Sequence, residues 1–422
     1  MKDVIESAIS MIAQRNRAIP EQAAKTALER SLHAIRTHLQ MDVAFISELS
    51  EGRRHFRYVD AEAGEPIRAG DSAPAEDSYC MRIVEGRLPE LIPDACLNIK
   101  ALKIAATKAL PVGAHLSVPI RLSDGRIYGT FCCFSHAPDD SLTSRDLGMM
   151  RVFADLIADQ IEADLRVRGA RHDAGRRIDA ALQPGALSIV YQPIVNAAQK
   201  RVVGFEALSR FKVEPQRTPD LWFAEAASIG RSVELETLAI RHALRALDQL
   251  PAGSYLSLNA SPDTVLEGDL AGLLAGQPLE RLVIEVTEHA AIDLYEDIAA
   301  VFGPLQDRGL RLAIDDAGAG YASLRHILNL GPDIIKLDTS ITRGIDLDPS
   351  RQALAKAMCG FASATGSQIV AEGVETAAEL QTLAGLEINN LQGYFLGRPL
   401  PLDEARAHVL DLRKRLFDFD FI

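Results

Sequence analysis

The sequence predicts an α+β module followed by a (β/α)8 barrel of the TIM type. Three observations lead there. At 422 residues the chain is too long for one ordinary compact unit and comfortable for two. Residues 42–134 carry short segments of alternating hydrophobicity flanked by helical stripes, as in a sheet covered by helices. From residue 187 onward, buried strand and helix alternate eight times over roughly 240 residues, near the ~250 usual for such a barrel.

Composition excludes other classes. Charged residues make up 24% and the apolar group 47%, with 29 glycines and 20 prolines, so collagen-like, low-complexity and disordered chains are ruled out. A formal net charge of −13 works against binding polymeric nucleic acid or an anionic membrane surface. The opening MKDVIESAISMIAQRNRAIPEQ puts charges in its first turns and does not resemble a secretory signal. No window offers the about 18 consecutive apolar residues that membrane insertion needs. The cysteines, Cys80, Cys96, Cys132, Cys133 and Cys359, are odd in number and lack CxxC spacing, which argues against a disulfide framework or zinc site and for a cytoplasmic location.

In the first module, residues 5–40 have apolar residues at helical spacing. Strands are expected at Asp42–Leu49, Phe56–Asp60, His115–Leu122 and Ile127–Phe134, with Asp-Gly in Ser123–Arg126 turning the last two into a hairpin. Ser141 and Thr143 offer caps for a long helix. Its stripe of Leu147, Met150, Phe153, Ile157, Ile161 and Leu165 suits either a dimer seam or packing on the module's own sheet. Polar Arg166–Arg177, with Gly169 and Gly175, reads as a linker. The expected division is therefore a first domain over 1–165, a linker helix over 166–181 and a barrel over 182–422. Barrel strands are expected at Leu187–Gln192, Val202–Ser209, Ser254–Asn259, Leu282–Thr287, Arg311–Asp316, Ile334–Asp338, Gln368–Glu372 and Asn390–Phe395, the direction of the first being open.

A barrel of this type presents its chemistry at the C-terminal ends of its strands, and here those ends are acidic. Glu206, Asn259, Glu285, Glu288, Asp315, Asp316, Lys336, Glu372 and Glu375 all fall there. One such acid usually caps the next helix, but repetition on successive strands points to a cluster. Glu206, Glu285, Asp315, Asp316 and Glu372 would repel at about 4 kcal/mol per pair at 4 Å and an effective dielectric near 20. Two divalent cations and Lys336 neutralise them, and oxygen ligands suit Mg²⁺ or Mn²⁺. Neighbouring residues of a strand face opposite ways, so Asp315 and Asp316 share the cluster only if the strand ends between them, a break that Gly318 and Gly320 permit. A metal pair favours displacement at phosphorus, hence phosphodiester hydrolysis. Amide hydrolysis is the nearest competitor, but His242, His289 and His326 read as helix or loop residues and the strand ends offer no His ligand.

GFEALSR around Glu206, YQPI from Tyr191, EVTE around Glu285, DDAGAGYASL from Asp315, IKLD from Ile335, AEGVET from Ala371 and QGYFLGRPLP from Gln392 together resemble an EAL-domain cyclic-di-GMP phosphodiesterase. The resemblance covers residues 182–422. It implies a TIM-type barrel that cuts cyclic-di-GMP to linear pGpG with Mg²⁺ or Mn²⁺, is inhibited by Ca²⁺ and often works as a homodimer. Carried over by position, Glu206, Asn259, Glu285 and Asp315 hold one metal, and Asp315, Asp316 and Glu372 a second. By the same resemblance Lys336 orients or acidifies the attacking water. Arg210 pairs with a substrate phosphate, Gln192 and Gln392 line the site with Asp316, Glu288 anchors the loop Asp316–Ser323, and Glu375 supports the base region. This chain departs from the family pattern in having Ala317 and Ala319 where an aromatic and a Thr or Ala are common, which removes packing area.

Residues 1–165 are similar to a GAF sensory domain, through the order of helix, meander and exit helix and through LPELIPDA and HLSVPIRLSDGRIYGTFCCFS. Such domains bind small ligands or dimerise, and the resemblance does not choose a ligand. Cys80 reads as a buried thiol or as a chromophore or oxidant site, and Cys132 and Cys133 as core. Three functions stay open: a GAF-regulated phosphodiesterase, a silent cyclic-di-GMP receptor and a protein-interaction module.

Overall fold

The computed structural model describes residues 21–62, 64–286, 295–318 and 321–418. Two compact units divide the chain, Met1–His172 and Asp173–Ile422.

In the first unit, helix α1 (Glu21–His38) precedes strands β1 (Val43–Ser50), β2 (Arg53–Ala61) and β3 (Ser72–Pro74). Short helix α2 (Tyr79–Val84), β4 (Leu91–Ile92), α3 (Ala105–Ala109), β5 (His115–Arg121) and β6 (Ile127–Phe134) follow, and α4 (Ser144–Ala181) leaves the unit. The strands form one antiparallel sheet of order β3-β2-β1-β6-β5-β4. Because side chains alternate across a sheet, Ala44, Ile46, Phe131 and Cys133 join Leu32, Ile35, Met150 and Ile157 on the face under α1 and α4. Val43, Phe45, Cys132 and Phe134 pack on the other face with Tyr79, Cys80 and Ile83 of α2. Thus Cys132 and Cys133 are both core, on opposite faces.

The helical stripe resolves in favour of local packing: Met150, Ile157 and Ile161 lie in the core of their own unit. Val152, Leu156 and Val167 stay exposed on the same helix. The linker stretch is continuous helix despite Gly169 and Gly175. Ion pairs one turn apart, Glu162 with Arg166 at 3.0 Å and Asp164 with Arg168 at 2.8 Å, support it.

The second unit is a closed eight-stranded barrel of β7 (Leu187–Asn196), β8 (Arg201–Phe211), β9 (Tyr255–Asn259), β10 (Leu282–Val286), β11 (Arg311–Ala317), β12 (Ile334–Leu337), β13 (Gln368–Ala371) and β14 (Asn390–Leu391). Strand β7 runs antiparallel to both its neighbours, β8 and β14, and the other pairings are parallel. The last strand is shorter than the expected Asn390–Phe395. The chain turns after Leu391, Leu396 donating to the Gly393 carbonyl at 3.1 Å, and Gly393 packs so closely on the backbone of Val374 that a side chain there would collide with it.

Alternation also sorts the barrel interior into layers. Ile194, Tyr255, Val283, Ala313, Ile334 and Val370 form an apolar cluster. Two residues further toward the mouth stand Ser257, Glu285, Asp315 and Lys336 on the same faces of β9, β10, β11 and β12, and Glu372 just past the end of β13. The apolar layer is a dry floor beneath a charged one.

Candidate active site

Five side chains meet above that floor. Lys336, 2% exposed, places Nζ 2.7 Å from Glu285, 3.0 Å from Asp315, 2.6 Å from Glu372 and 3.6 Å from Glu206. One ammonium cannot neutralise four carboxylates, of which Glu206 and Glu285 are buried and Asp315 and Glu372 half-buried. Burial and the charges of Glu206 and Asp315 push Glu285 up to about 8, although Lys336 opposes them. Burial and Asp315 likewise push Glu372 well above the usual carboxylate range, against Lys336. Burial alone would lower Lys336, but the four carboxylates hold it well above its ordinary value.

The remaining oxygens are held in place by amides and a hydroxyl. Glu206 accepts from Asn259 Nδ2 at 3.1 Å and from Gln392 Nε2 at 2.6 Å. Gln392 Nε2 also reaches Gln192 Oε1 at 3.2 Å, and Gln192 donates to the Gly397 carbonyl at 3.1 Å. Ser257 Oγ donates to Glu285 at 2.5 Å. Two buried oxygens, Asp315 Oδ1 and Gln392 Oε1, have no hydrogen-bond partner, the Lys336 contact to Asp315 being an ion contact only.

Asp316 joins through its backbone. The β11–β12 register jumps between Ile314 and Ala317, and Asp316 has φ 54°, in the left-handed region. This bulge replaces the expected break between Asp315 and Asp316: the strand runs on to Ala317 while a re-aimed Asp316 shares the side of Asp315. Carboxylate oxygens of Asp315, Asp316 and Glu372 all lie within 4.8 Å of one another. Such a trio of carboxylates, with Asp315 Oδ1 held by the Lys336 ion contact and by no hydrogen bond, fits oxygen-preferring divalent cations. Gly318 has φ 105°, which a residue with a Cβ seldom adopts, and a Cβ there would also meet the tip of the Ile341 side chain.

A cavity of about 340 Å³ opens over the cluster, lined by Gln192, Glu206, Asp315, Glu372, Glu375 and Gln392, with Leu208, Thr339, Arg343, Gly373, Gly393 and Tyr394. Glu285 and Lys336 lie fully buried in the charged layer. Glu375 is ion-paired to Arg343. Arg210 does not line this cavity; it lies two residues beyond Leu208 on β8 and donates to the Ser209 carbonyl at 2.7 Å. Glu288 and Ala319 lie outside the described residues, and Ala317 is fully buried.

Reading strand ends missed Arg343 and Tyr394, which sit in loops. Arg343 follows the turn Thr339–Thr342, capped by Asp338. Glu379 holds this loop by accepting from Gly344, Glu375 and Thr376 backbone N–H groups at 2.8, 2.8 and 2.9 Å. The capping pair Thr376 and Glu379 was the available signal.

The family model for the EAL domain matches residues 176–399, more than half the chain. The chain belongs to the EAL domain family. A second model, for the GAF domain, matches residues 24–161, so a GAF domain precedes the EAL barrel. Over 242 residues the chain is 30% identical to a probable cyclic di-GMP phosphodiesterase, PdeN, of Escherichia coli, covering 54% of this chain and 46% of that protein. It is 31% identical to MucR of Pseudomonas aeruginosa, a bifunctional diguanylate cyclase and cyclic di-GMP phosphodiesterase, over 54% of this chain and 35% of that one. The chain thus spans less than half the length of these curated relatives. Among solved structures, the PaMucR phosphodiesterase in its c-di-GMP complex aligns with 55% of this chain and 99% of that one, at 28% identity and a TM-score of 0.51. The EAL enzyme Bd1971, in a cAMP and cyclic-di-GMP bound form, aligns with 87% of this chain and 93% of that one at 18% identity and TM-score 0.55, a likeness of fold alone. Among the described residues, no helix of the GAF–EAL chain is long and apolar enough to cross a membrane.

Proposed function

We propose that this chain hydrolyses cyclic-di-GMP to linear pGpG in the EAL barrel, under control of the GAF domain, in the cytoplasm. The observation that carries this reading is the convergence of Asp315, Asp316 and Glu372 beside Lys336 beneath an open cavity. The similarity to PdeN and MucR supports the choice of substrate.

Asp315, Asp316 and Glu372 would hold one Mg²⁺ or Mn²⁺, and Glu206, Asn259, Glu285 and Asp315 a second. When bound, such ions supply a hydroxide from water and stabilise charge on the phosphoryl oxygens. Lys336 orients the attacking water, and Glu206 and Glu372 brace its ammonium. The water oxygen bonds to phosphorus, the bond to one ribose 3′-oxygen breaks, and the water's proton ends on that leaving oxygen. Gln192 and Gln392 fix Glu206 and the wall beside it. Arg210 receives the substrate phosphate from the rim, and Glu375, paired with Arg343, supports the region that takes the base.

Control by the GAF domain is supported by α4, whose Ile157 and Ile161 belong to the core of the first unit and whose Ile178 and Ala181 belong to that of the second. A homodimer is supported by Val152, Leu156 and Val167, exposed apolar residues on that helix.

The test is incubation of the purified chain with cyclic-di-GMP and Mg²⁺ or Mn²⁺, followed by chromatography. pGpG should accumulate, and a chelator should stop it. Intact cyclic-di-GMP retained on the protein under saturating Mn²⁺ would instead identify a receptor.

A further inference from the structure

The α2 face of the GAF sheet carries a buried polar cluster that hydrolysis does not use. Arg54 on β2 is 8% exposed, and among the described residues it makes no ion pair with a carboxylate. Its Nε has no partner, and its guanidinium lies 4.5 Å over the Phe56 ring. A guanidinium stays protonated in a protein, so a positive charge is buried here and requires a counter-ion. Cys80 is the ionisable group it touches: Arg54 donates to Cys80 Sγ at 3.4 Å, and Ser47 Oγ donates to the same sulfur at 3.6 Å.

The second thiol is already beside it. Cys132 Sγ lies 3.6 Å from Cys80 Sγ and contacts Ser117 Oγ at 3.0 Å and Thr130 Oγ1 at 3.1 Å. Cys133, its neighbour on β6, points into the opposite core. Burial opposes ionisation of Cys80, but the contacts with Cys132 and Arg54 outweigh it and hold that thiol well below the ordinary value. Burial and Cys80 together push Cys132 well above it. Of the two sulfurs, Cys80 Sγ is the one in contact with the Arg54 guanidinium, which favours it as the nucleophile of the pair.

We propose that Cys80 and Cys132 are an oxidisable pair that a hydroperoxide converts to a disulfide within the GAF domain. The Cys80 thiolate attacks one peroxide oxygen. An S–O bond forms, the O–O bond breaks, and the departing oxygen takes a proton from solvent and leaves as water or an alcohol. Cys132 then attacks the sulfenic sulfur, forming the S–S bond while hydroxide leaves and takes the thiol proton as water. The two thiols supply the two electrons that reduce the peroxide. Closing to the ~2.05 Å of a disulfide needs a movement of about 1.5 Å. Access is through opening of α2, a helix of six residues that follows exposed Glu76 and Asp77.

The test uses the full-length chain exposed to hydrogen peroxide, alkylated under denaturing conditions, digested and analysed by mass spectrometry. The expected product is a Cys80–Cys132 cross-linked peptide pair, lighter by two hydrogens, assigned to Cys132 rather than Cys133 by fragment ions and reversed by dithiothreitol. In Cys132→Ala the link is lost and Cys80 becomes trappable by dimedone; in Cys80→Ser both signals vanish, with circular dichroism showing that each variant folds. Full alkylation of Cys80 and Cys132 under peroxide that oxidises exposed Cys96 would overturn the proposal, as would a link to Cys133 or Cys96.

Discussion

Lys336 holds its ammonium 2.6 Å from a carboxylate oxygen of Glu372, Lys336 lying on β12 and Glu372 immediately following its parallel neighbour β13. Lys336→Met removes the cation common to four carboxylates and tests its proposed role in orienting water. Cleavage of cyclic-di-GMP should fall about 10²–10⁴-fold, the range for loss of a positioned proton-transfer group. Circular dichroism should still show the barrel. A rate within about threefold of the parent would reject this role for Lys336.

Gly318→Ala tests the bulge. The new methyl meets Ile341, and φ of 105° is strained for any residue with a Cβ. The Ile341 side-chain tip can give way, but relief of the φ strain requires movement of the backbone that aims Asp315 and Asp316. A misplacement of about 1 Å costs on the order of 10²-fold in rate, so activity should drop by that much while the unfolding midpoint shifts modestly. Metal affinity, measured by calorimetry with Mn²⁺, should weaken in parallel.

His115 supplies a pH signature in the GAF domain. Burial, aided by the Arg54 charge, lowers its pKa from 6.5 to about 3, and its ring stacks on Tyr79 at 4.4 Å with Nδ1 unpartnered. The folded state therefore resists a proton that the unfolded state accepts. Its stability contribution is intact above about pH 6.5 and is lost as pH falls toward about 3, at up to about 1.4 kcal/mol per pH unit. Relative to His115→Phe, which keeps a ring and removes the titration, the parent should lose stability below pH 6.5 in urea melts. A constant difference from pH 8 to pH 4 would contradict this.

Leu156→Glu tests the dimer. Leu156 is 61% exposed on α4, so a charge there costs the monomer little. Light scattering should show the dimer dissociating, and a monomeric parent chain would remove the dimer from the functional reading.

The sequence made the charged layer legible because inward residues of a barrel recur at every second position: Ala313 and Asp315, Ile334 and Lys336, Val370 and Glu372 each place an apolar residue beneath a polar one. What it hid depends on backbone detail or distant contacts. Asp316 reaches the cluster through a left-handed φ that non-glycine residues seldom adopt, and the nearby glycines drew attention to the wrong positions. Arg343 and Tyr394 reach the cavity from loops, which carry no periodicity. Arg54, Cys80 and Cys132 are separated by 26 and 52 residues, and no local pattern announces that a sheet face and a short helix bring them together.

The reversed first strand decides where the polypeptide joins the barrel. Leu187, the first residue of β7, pairs with Phe211, the last residue of β8. Had β7 run with the others, α4 would feed into the closed end beneath the apolar floor. Instead its final turn at Ala181 lies only a few residues from Leu187, so the polypeptide joins the cylinder at the end that carries the acidic mouth.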